Sequence, residues 1–565
     1  MRSLALLMGL SCRGPAPTPA PAAWTPSPAP VDDLYYLVMV DRFADGLPDG
    51  PGTTDPDDPQ AFHGGDLQGV IDRLDHLEHI GVRTVWLTPV TKMRTEKISE
   101  HGAFHGYWVN DPTQVEPRFG DAALLGALSD ALHQRGMRLA LDVVWNHQGW
   151  DAPLRASHPD WFHQNGDITD WDDPVQLVVN DVHGLPDLAV ELPAVRTYLE
   201  AATDWLVDAG RPDALRVDAV RHLPNEFVAG MSTRLKQQHG TAFTVLAEDF
   251  QGDALALARN QRAAGYDRVF DFPLRYALID SVCHGAGPGR LAGTLALDRL
   301  YEDPATLVTF LDNHDLPRVA TECGGDRDRV ALALGALFLL RGTPCLSWGT
   351  EQLMEGAGEP DNRQSMAWDA PMPLSPLIGA LARRRRPAAA TRIVDLGPTW
   401  IAWQTGTQRV LLNLGPTPVA TDALREGATA AWQLENGKLH DLPDESWDSP
   451  LAARSLRAWT APDHLSDPTP AQVRVQIAAD LPAGTDLRLV GAGPELGHWD
   501  PAQAPRLTRG TDVGTFETTL DLDPTVPWEW KLVIRDPAGD SWERCPNRIR
   551  WRAASWVARW EVCEP

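Results

Sequence analysis

The sequence predicts an α/β protein built on a (β/α)8 barrel, followed by all-β units. Three observations predict this. Between residues 31 and 387, eight short apolar runs alternate with helix-patterned stretches, as in a parallel sheet with crossover helices. Four of these runs end in polar, titratable clusters, and a closed barrel carries its chemistry at the C-terminal ends of its strands. Beyond residue 387 the helical pattern gives way to alternating apolar and polar segments, which read as strands.

The barrel strands are expected at 34–40, 84–88, 137–144, 214–217, 244–247, 268–272, 307–311 and 344–348. The third leads into DVVWNH at 142–147, the fourth into Arg216-Val217-Asp218, the fifth into Glu248, and the seventh into FLDNHD at 310–315. Side chains alternate along a strand, so Arg216 and Asp218 share a face. A fixed cation beside a carboxylate keeps it ionised and available as a nucleophile. Taken singly, an Arg-x-Asp at a strand end is more often a structural ion pair. Between 148 and 183 lies a polar, Trp- and Asp-rich excursion without a clear helix.

The chain has 565 residues, too many for one core, and a formal net charge of −27. That charge argues against nucleic acid or an anionic membrane surface as a partner, because a polyanion would be repelled. A neutral polymer suits it better. The 22 Trp against 7 Tyr supply flat rings that can stack on sugar faces, although core packing accounts for most of them.

The start of the chain, MRSLALLMGLSC, has a basic residue and an apolar run too short to span a bilayer, and reads as an export signal. Two outcomes stand for Cys12: lipid anchoring ahead of the Pro/Ala-rich tract at 14–30, or simple cleavage with release. Export permits disulfides, and Cys283 with Cys323 and Cys545 with Cys563 are candidate pairs by domain membership. Cys345 lies in an apolar strand and reads as a buried thiol.

The ordered clusters resemble the alpha-amylase family of glycoside hydrolases, and the stretch around 349–363 resembles cyclodextrin glycosyltransferases within it. The resemblance implies Asp218 as nucleophile, Glu248 as acid/base and Asp315 as the acid gripping the distorted sugar, with the first two roughly 5 to 5.5 Å apart and configuration retained. It places Tyr107 under the sugar at the cleavage point, with His105, Trp108, His147 and His314 near it. Arg216 orients Asp218, Arg221 and His222 line the acceptor side, and Glu359 and Arg363 bind a donor-side glucose. It also implies one Ca2+ held by Asn146, Asp187 and the carbonyl of His222, against the alternative of a calcium-free hydrogen-bond cluster.

By the same resemblance, 1–30 is signal and linker, 31–147 with 184–387 the catalytic barrel, 148–183 an inserted domain B, 388–461 an all-β domain C, and 462–470 a linker. Residues 471–565 resemble a family 20 starch-binding domain, a β-sandwich whose matched sugar-site residues are Trp499, Lys531, Trp542, Glu543 and Asn547. The expected protein is an exported monomer that cleaves internal α-1,4 bonds of starch and maltooligosaccharides. A cyclodextrin glycosyltransferase, 4-α-glucanotransferase or maltogenic exo-amylase is the alternative. His183 where those transferases have an aromatic, and the lack of their extra β domain, favour hydrolysis. A non-catalytic starch-capturing surface protein is the alternative from another class.

Overall fold

The computed structural model describes residues 24–30, 33–48, 50–388, 390–462, 471–482, 484–523, 526–537, 539–545, 547–552 and 555–560. Cys12, Cys563 and almost all of the 462–470 linker lie outside the described residues.

The strands are β1 Tyr35–Val38, β2 Thr84–Leu87, β3 Thr91–Met93, β4 Val109–Val115, β5 Arg138–Val143, β6 Ala214–Val217, β7 Thr244–Ala247, β8 Arg268–Phe270, β9 Leu307–Phe310 and β10 Thr343–Ser347. All but β3 and β4 form a closed barrel in the order β1-β10-β9-β8-β7-β6-β5-β2, every pair parallel. The eight expected strands all form, each at most three residues from its expected ends. Their apolar character follows from burial on both faces, against the barrel interior and the surrounding helices. The antiparallel pair β3–β4 carries the loop between Met93 and Val109, which holds His105, Tyr107 and Trp108.

The excursion after β5 contains two short helices, Pro153–Ser157 and Gln176–Val179, where the sequence shows no clear helical pattern. At four or five residues each, they are too short to display a periodic face.

Domain C is a six-stranded antiparallel sheet in the order Thr391–Leu396, Trp400–Thr405, Gln408–Asn413, Ser455–Thr460, Ala430–Glu435, Lys438–Asp441. It shares one core with the barrel: Trp403 donates to the Leu339 carbonyl at 3.1 Å, and Leu434 and Leu456 pack on Gly335 of helix Arg327–Leu339. The C-terminal module is two facing four-stranded sheets closed over Trp528, Trp530 and Trp556.

At the opposite end of the barrel from the strand C-termini, Trp24 lies 5.6 Å from the His239 ring. Ser27 donates to Asp213 at 2.6 Å and accepts from Arg138 at 3.1 Å. Asp213 and Arg138 stand where β6 and β5 begin. Cys283 and Cys323 form a disulfide, as their expected pairing had it, and Cys345 is a buried free thiol. Cys545 is also disulfide-bonded. No described helix is long and apolar enough to cross a membrane.

Under the barrel wall, Arg341 is buried with Asp271 and Asp298, at 2.5 and 2.6 Å. Removing one partner of such a cluster leaves charges buried without compensation. Arg341→Leu is expected to lower unfolding free energy by about 3 to 5 kcal/mol, read from denaturant melts of the folded protein.

Candidate active site

Arg216 is fully buried at the middle of the barrel mouth, and its guanidinium meets three acids. Nη1 lies 3.0 and 3.1 Å from the two Asp142 oxygens and 2.6 Å from Asp218 Oδ1, while Nη2 lies 3.6 Å from Glu248 Oε2. The alternation along β6 aims Arg216 and Asp218 the same way, as the sequence implies. Immediately after, Ala219 takes a left-handed conformation, φ 50°, unusual for a residue with a Cβ. That bend sets the Ala219 N–H 2.9 Å from Glu248 Oε2 and the Val220 N–H 3.0 Å from the Glu248 carbonyl. Backbone strain at such a point is held in place by its surroundings and belongs to functional positions.

The carboxyl groups have different environments. Asp218 is partly exposed in its ion pair, whereas Glu248 is buried, and that burial pushes its pKa well above the ordinary carboxylate value against the pull of Arg216. Two acids set apart in this way are assigned as base or nucleophile and as acid.

Asp315 completes the set from the far wall. The Asn313 side chain accepts from the Asp315 N–H at 2.9 Å, and Arg363 Nη2 reaches Asp315 Oδ1 at 3.1 Å. Arg363 is held in turn by Glu359 at 3.1 Å and by the His314 carbonyl at 2.9 Å. Arg42 braces this wall from β1's end: its Nε donates to the Arg363 carbonyl at 2.9 Å and its guanidinium lies 3.7 Å over Phe104.

Tyr107 stacks on His314 at 4.9 Å with an interplanar angle of 7°, and donates its hydroxyl to Asp142 at 2.8 Å. The His105 ring also stacks with Tyr107, at 5.7 Å, and Trp108 meets His105 edge-on. Burial lowers the pKa of His105, His147 and His314, so all three are neutral. His147 Nε2 and His314 Nδ1 are buried without a partner, and such atoms need one from a ligand or solvent.

Arg221 spans the acceptor side, donating to the Trp171 carbonyl at 3.2 Å and the Phe250 carbonyl at 3.4 Å. The His222 ring is buried, its Nδ1 2.9 Å from the Leu177 carbonyl and its ring edge-on to Trp171 at 5.9 Å. Its side chain thus ties domain B to the barrel beside the acceptor-side Trp171, and Asn225, Gln251 and Asn260 line the groove there. Trp171 was not singled out by sequence reasoning. It is 40% exposed, sits 5.5 Å over His183, and with Phe250, 37% exposed, gives that side two open aromatic faces. Asp142, at the root of the site, was visible only as the first letter of DVVWNH.

No group of three or more His, Cys, Asp or Glu among the described residues could hold a metal. Asn146 Oδ1 is buried without a partner, and residue 147 bridges to Asp187. One Asp187 oxygen lies 2.5 Å from His163, whose imidazole this hydrogen bond raises to about 9. The remaining set of amide, carboxylate and His222 carbonyl oxygens fits the chemistry of a hard cation.

In the C-terminal module, Lys531 and Val533 share one face of strand Trp528–Arg535, and their cross-strand partners Val490 and Trp542 share it with them. Trp499 packs on Val490 and Val533, so both indoles lie on that open face. Glu543, the next residue after Trp542, points the other way: it is buried, accepting from the Leu532 N–H at 2.8 Å and from Arg548 at 2.9 Å. The implied sugar contact for Glu543 is corrected by alternation to a framework role. Asn547 is exposed and bonded to Glu529 at 2.8 Å.

A (β/α)8 barrel with an ion-paired carboxylate and a buried one of raised pKa at a shared mouth defines an enzyme acting on glycosidic bonds. Residues 37–372 match the family description "Alpha amylase, catalytic domain", and residues 470–555 match "Starch binding domain". The chain belongs to the alpha-amylase family of hydrolases and transferases. It is 33% identical over 376 residues to a beta/alpha-amylase of Paenibacillus polymyxa, covering 62% of this chain and 30% of that one. It is 32% identical over 372 residues to a Bacillus cyclomaltodextrinase, 62% and 63% of the two chains, and so spans less than two thirds of either relative. An alpha-amylase of Geobacillus thermoleovorans, solved with acarbose, is similar in structure: TM-score 0.67, 28% identity, 77% of this chain and 99% of that one.

Glu248→Gln is expected to lower turnover by about 10²- to 10⁴-fold, and Asp218→Asn by at least as much, in reducing-sugar assays. Because the Glu248 pKa is raised, the folded state keeps a proton that the unfolded chain releases near 4.5. Stability from this group is complete below that value and is lost as pH rises toward the folded value. Glu248→Gln should therefore raise Tm more at about pH 8 than at about pH 5.

Proposed function

We propose that this protein is a retaining hydrolase of internal α-1,4 bonds in starch and maltooligosaccharides. The observation that carries this reading is the unequal pair on Arg216, with Asp218 in the close ion pair and Glu248 buried, its pKa raised well above the ordinary carboxylate value. Glu248 gives its proton to the leaving glycosidic oxygen while Asp218 attacks the anomeric carbon, forming a glycosyl-enzyme. Glu248, now a carboxylate, takes a proton from water as that water attacks the same carbon, and both residues return to their starting states. Asp315, with Arg363 behind it, grips hydroxyls of the sugar as it flattens, and neutral His147 and His314 donate to it.

One observation favours the second reading, transfer to a sugar. Trp171 and Phe250 can stack an acceptor and displace water from the glycosyl-enzyme. The two outcomes separate in a product profile from soluble starch and maltopentaose: linear maltooligosaccharides should dominate, and dominant cyclodextrins or longer chains would reverse the order. Trp171→Ala is expected to lower the ratio of transfer to hydrolysis by about two- to tenfold. A starch-capturing protein without catalysis would release no reducing sugar at all.

We also propose that one Ca2+ joins domain B to the barrel through Asn146, Asp187 and the His222 carbonyl, as a structural ion outside the chemistry. The orphaned Asn146 oxygen supports this. Chelation should lower Tm by about 2 to 8 °C, with recovery on adding Ca2+, and Asn146→Ala should abolish that response. An exported setting is supported by the Cys283–Cys323 disulfide, which persists in oxidising compartments.

A further inference from the structure

A cavity of about 220 Å³ lies at the joint between the barrel and domain C and shares no residue with the active site. Barrel helices Phe272–Val282 and Arg327–Leu339, through Ser281 and Arg329, form one wall, and Thr399 and Arg454 of domain C form the other. Its lining carries two guanidinium groups, Arg329 and Arg454, and no carboxylate. The chain as a whole has 77 Asp and Glu against 50 Lys and Arg, so a cavity charged only positively runs against the overall balance and favours an anion locally.

Its donors are free. Ser281 is 1% exposed, and its Oγ has no hydrogen-bond partner, not even a carbonyl of its own helix. A buried hydroxyl left in that state costs free energy until a ligand or solvent meets it. Arg329 Nη1 donates to the Cys283 carbonyl at 2.6 Å and its Nε lies 3.5 Å from Asp326, which leaves Nη2 without a partner among the described residues. Arg454 stands just ahead of strand Ser455–Thr460 on a left-handed backbone, φ 48°, and its guanidinium has no carboxylate partner among the described residues. The acids next to these residues in sequence are already engaged. Asp280 pairs with Arg290 and with His284 at 3.2 Å, and Asp326 caps its helix, accepting from the Asp328 and Arg329 N–H groups at 3.0 and 3.2 Å. Val282, Leu332 and Leu414 complete the lining, and apolar surroundings strengthen a charged hydrogen bond.

We infer that this cavity binds a small oxyanion of the phosphate class, taking donors from Ser281 and Arg329 of the barrel and Arg454 of domain C, and that the bound anion ties the barrel and domain C together. A planar guanidinium presents paired N–H groups that match the oxygens of a phosphate, and the Ser281 hydroxyl donates from a third direction. An anion that binds only where both walls are in place stabilises the folded chain by mass action. The site is independent of the hydrolase reading and of the sugar-binding face of the C-terminal module. Free phosphate and a phosphate monoester present the same oxygens, and titration separates the two sources.

The test uses the full chain, with inorganic phosphate and glucose 6-phosphate as probes and glucose as the uncharged control. Calorimetric titration should show one site with a Kd of about 1 mM or tighter, and phosphate at about 10 mM should raise Tm by about 1 to 3 °C. Arg454→Gln and Ser281→Ala should each weaken binding by about 10- to 100-fold and remove that rise, with maltopentaose turnover unchanged. Ser281→Ala deletes a hydroxyl that has no partner, so in phosphate-free buffer its Tm should equal or exceed that of the unmodified protein. Phosphate also raises Tm by exclusion from any protein surface, which is why the variants decide. An equal rise in all three proteins, or no heat of binding from either probe, would overturn the inference. Tighter binding of glucose 6-phosphate than of phosphate identifies a monoester as the occupant, and the reverse order identifies the free ion. If one variant fails to fold, the other carries the comparison.

Discussion

The Arg216 guanidinium is the constraint on which the site depends. It carries one permanent positive charge with no exposure to solvent, shared by Asp142, Asp218 and Glu248. One charge is divided among three acids. The closest contact goes to Asp218 and the longest to Glu248, so burial outweighs the cation at Glu248 and raises its pKa well above the ordinary value. On the proposed reading, the division of labour between nucleophile and acid follows from unequal distances to a single cation. The Trp86 and Tyr107 rings, 5.2 and 5.6 Å from that cation, wall it away from water and keep the inequality intact.

Much of this was legible in the chain because barrel strands are short, buried runs that stop abruptly at polar residues. Arg216, Asp218, Glu248 and Asp315 stand at such stops, and strand alternation alone puts Arg216 and Asp218 on one side. The less legible residues lie where no period rules. Trp171 belongs to an excursion whose path is set in part by a contact to Arg221, 50 residues away in sequence, so nothing local marks it as open to the groove. His222 is placed on the acceptor side by the resemblance alone. A 3-10 turn at Val220–His222 carries its ring to the Leu177 carbonyl and edge-on to Trp171. Glu543 could have been assigned inward from alternation with Trp542, had the strand register been known.

The same economy of rigid attachment runs through the molecule. Domain C shares the barrel's hydrophobic core, and the C-terminal module contacts helix Gly289–Ala296, Asp253 and domain C without an intervening domain. On the proposed reading the substrate is much larger than any cleft, so affinity for it comes from several modest contacts held at fixed spacing. The Trp499 and Trp542 face would supply one such contact, and Tyr107 with its neighbouring histidines another.

The N-terminal segment at Trp24 and Ser27 has its own consequence. It is fastened at the foot of the barrel, to residues where β5 and β6 begin, while the acids stand where those strands end. Any attachment made through the chain ahead of Trp24 joins the enzyme by its base, like a cup fixed to a shelf. The opening that holds the acids then points away from that foot.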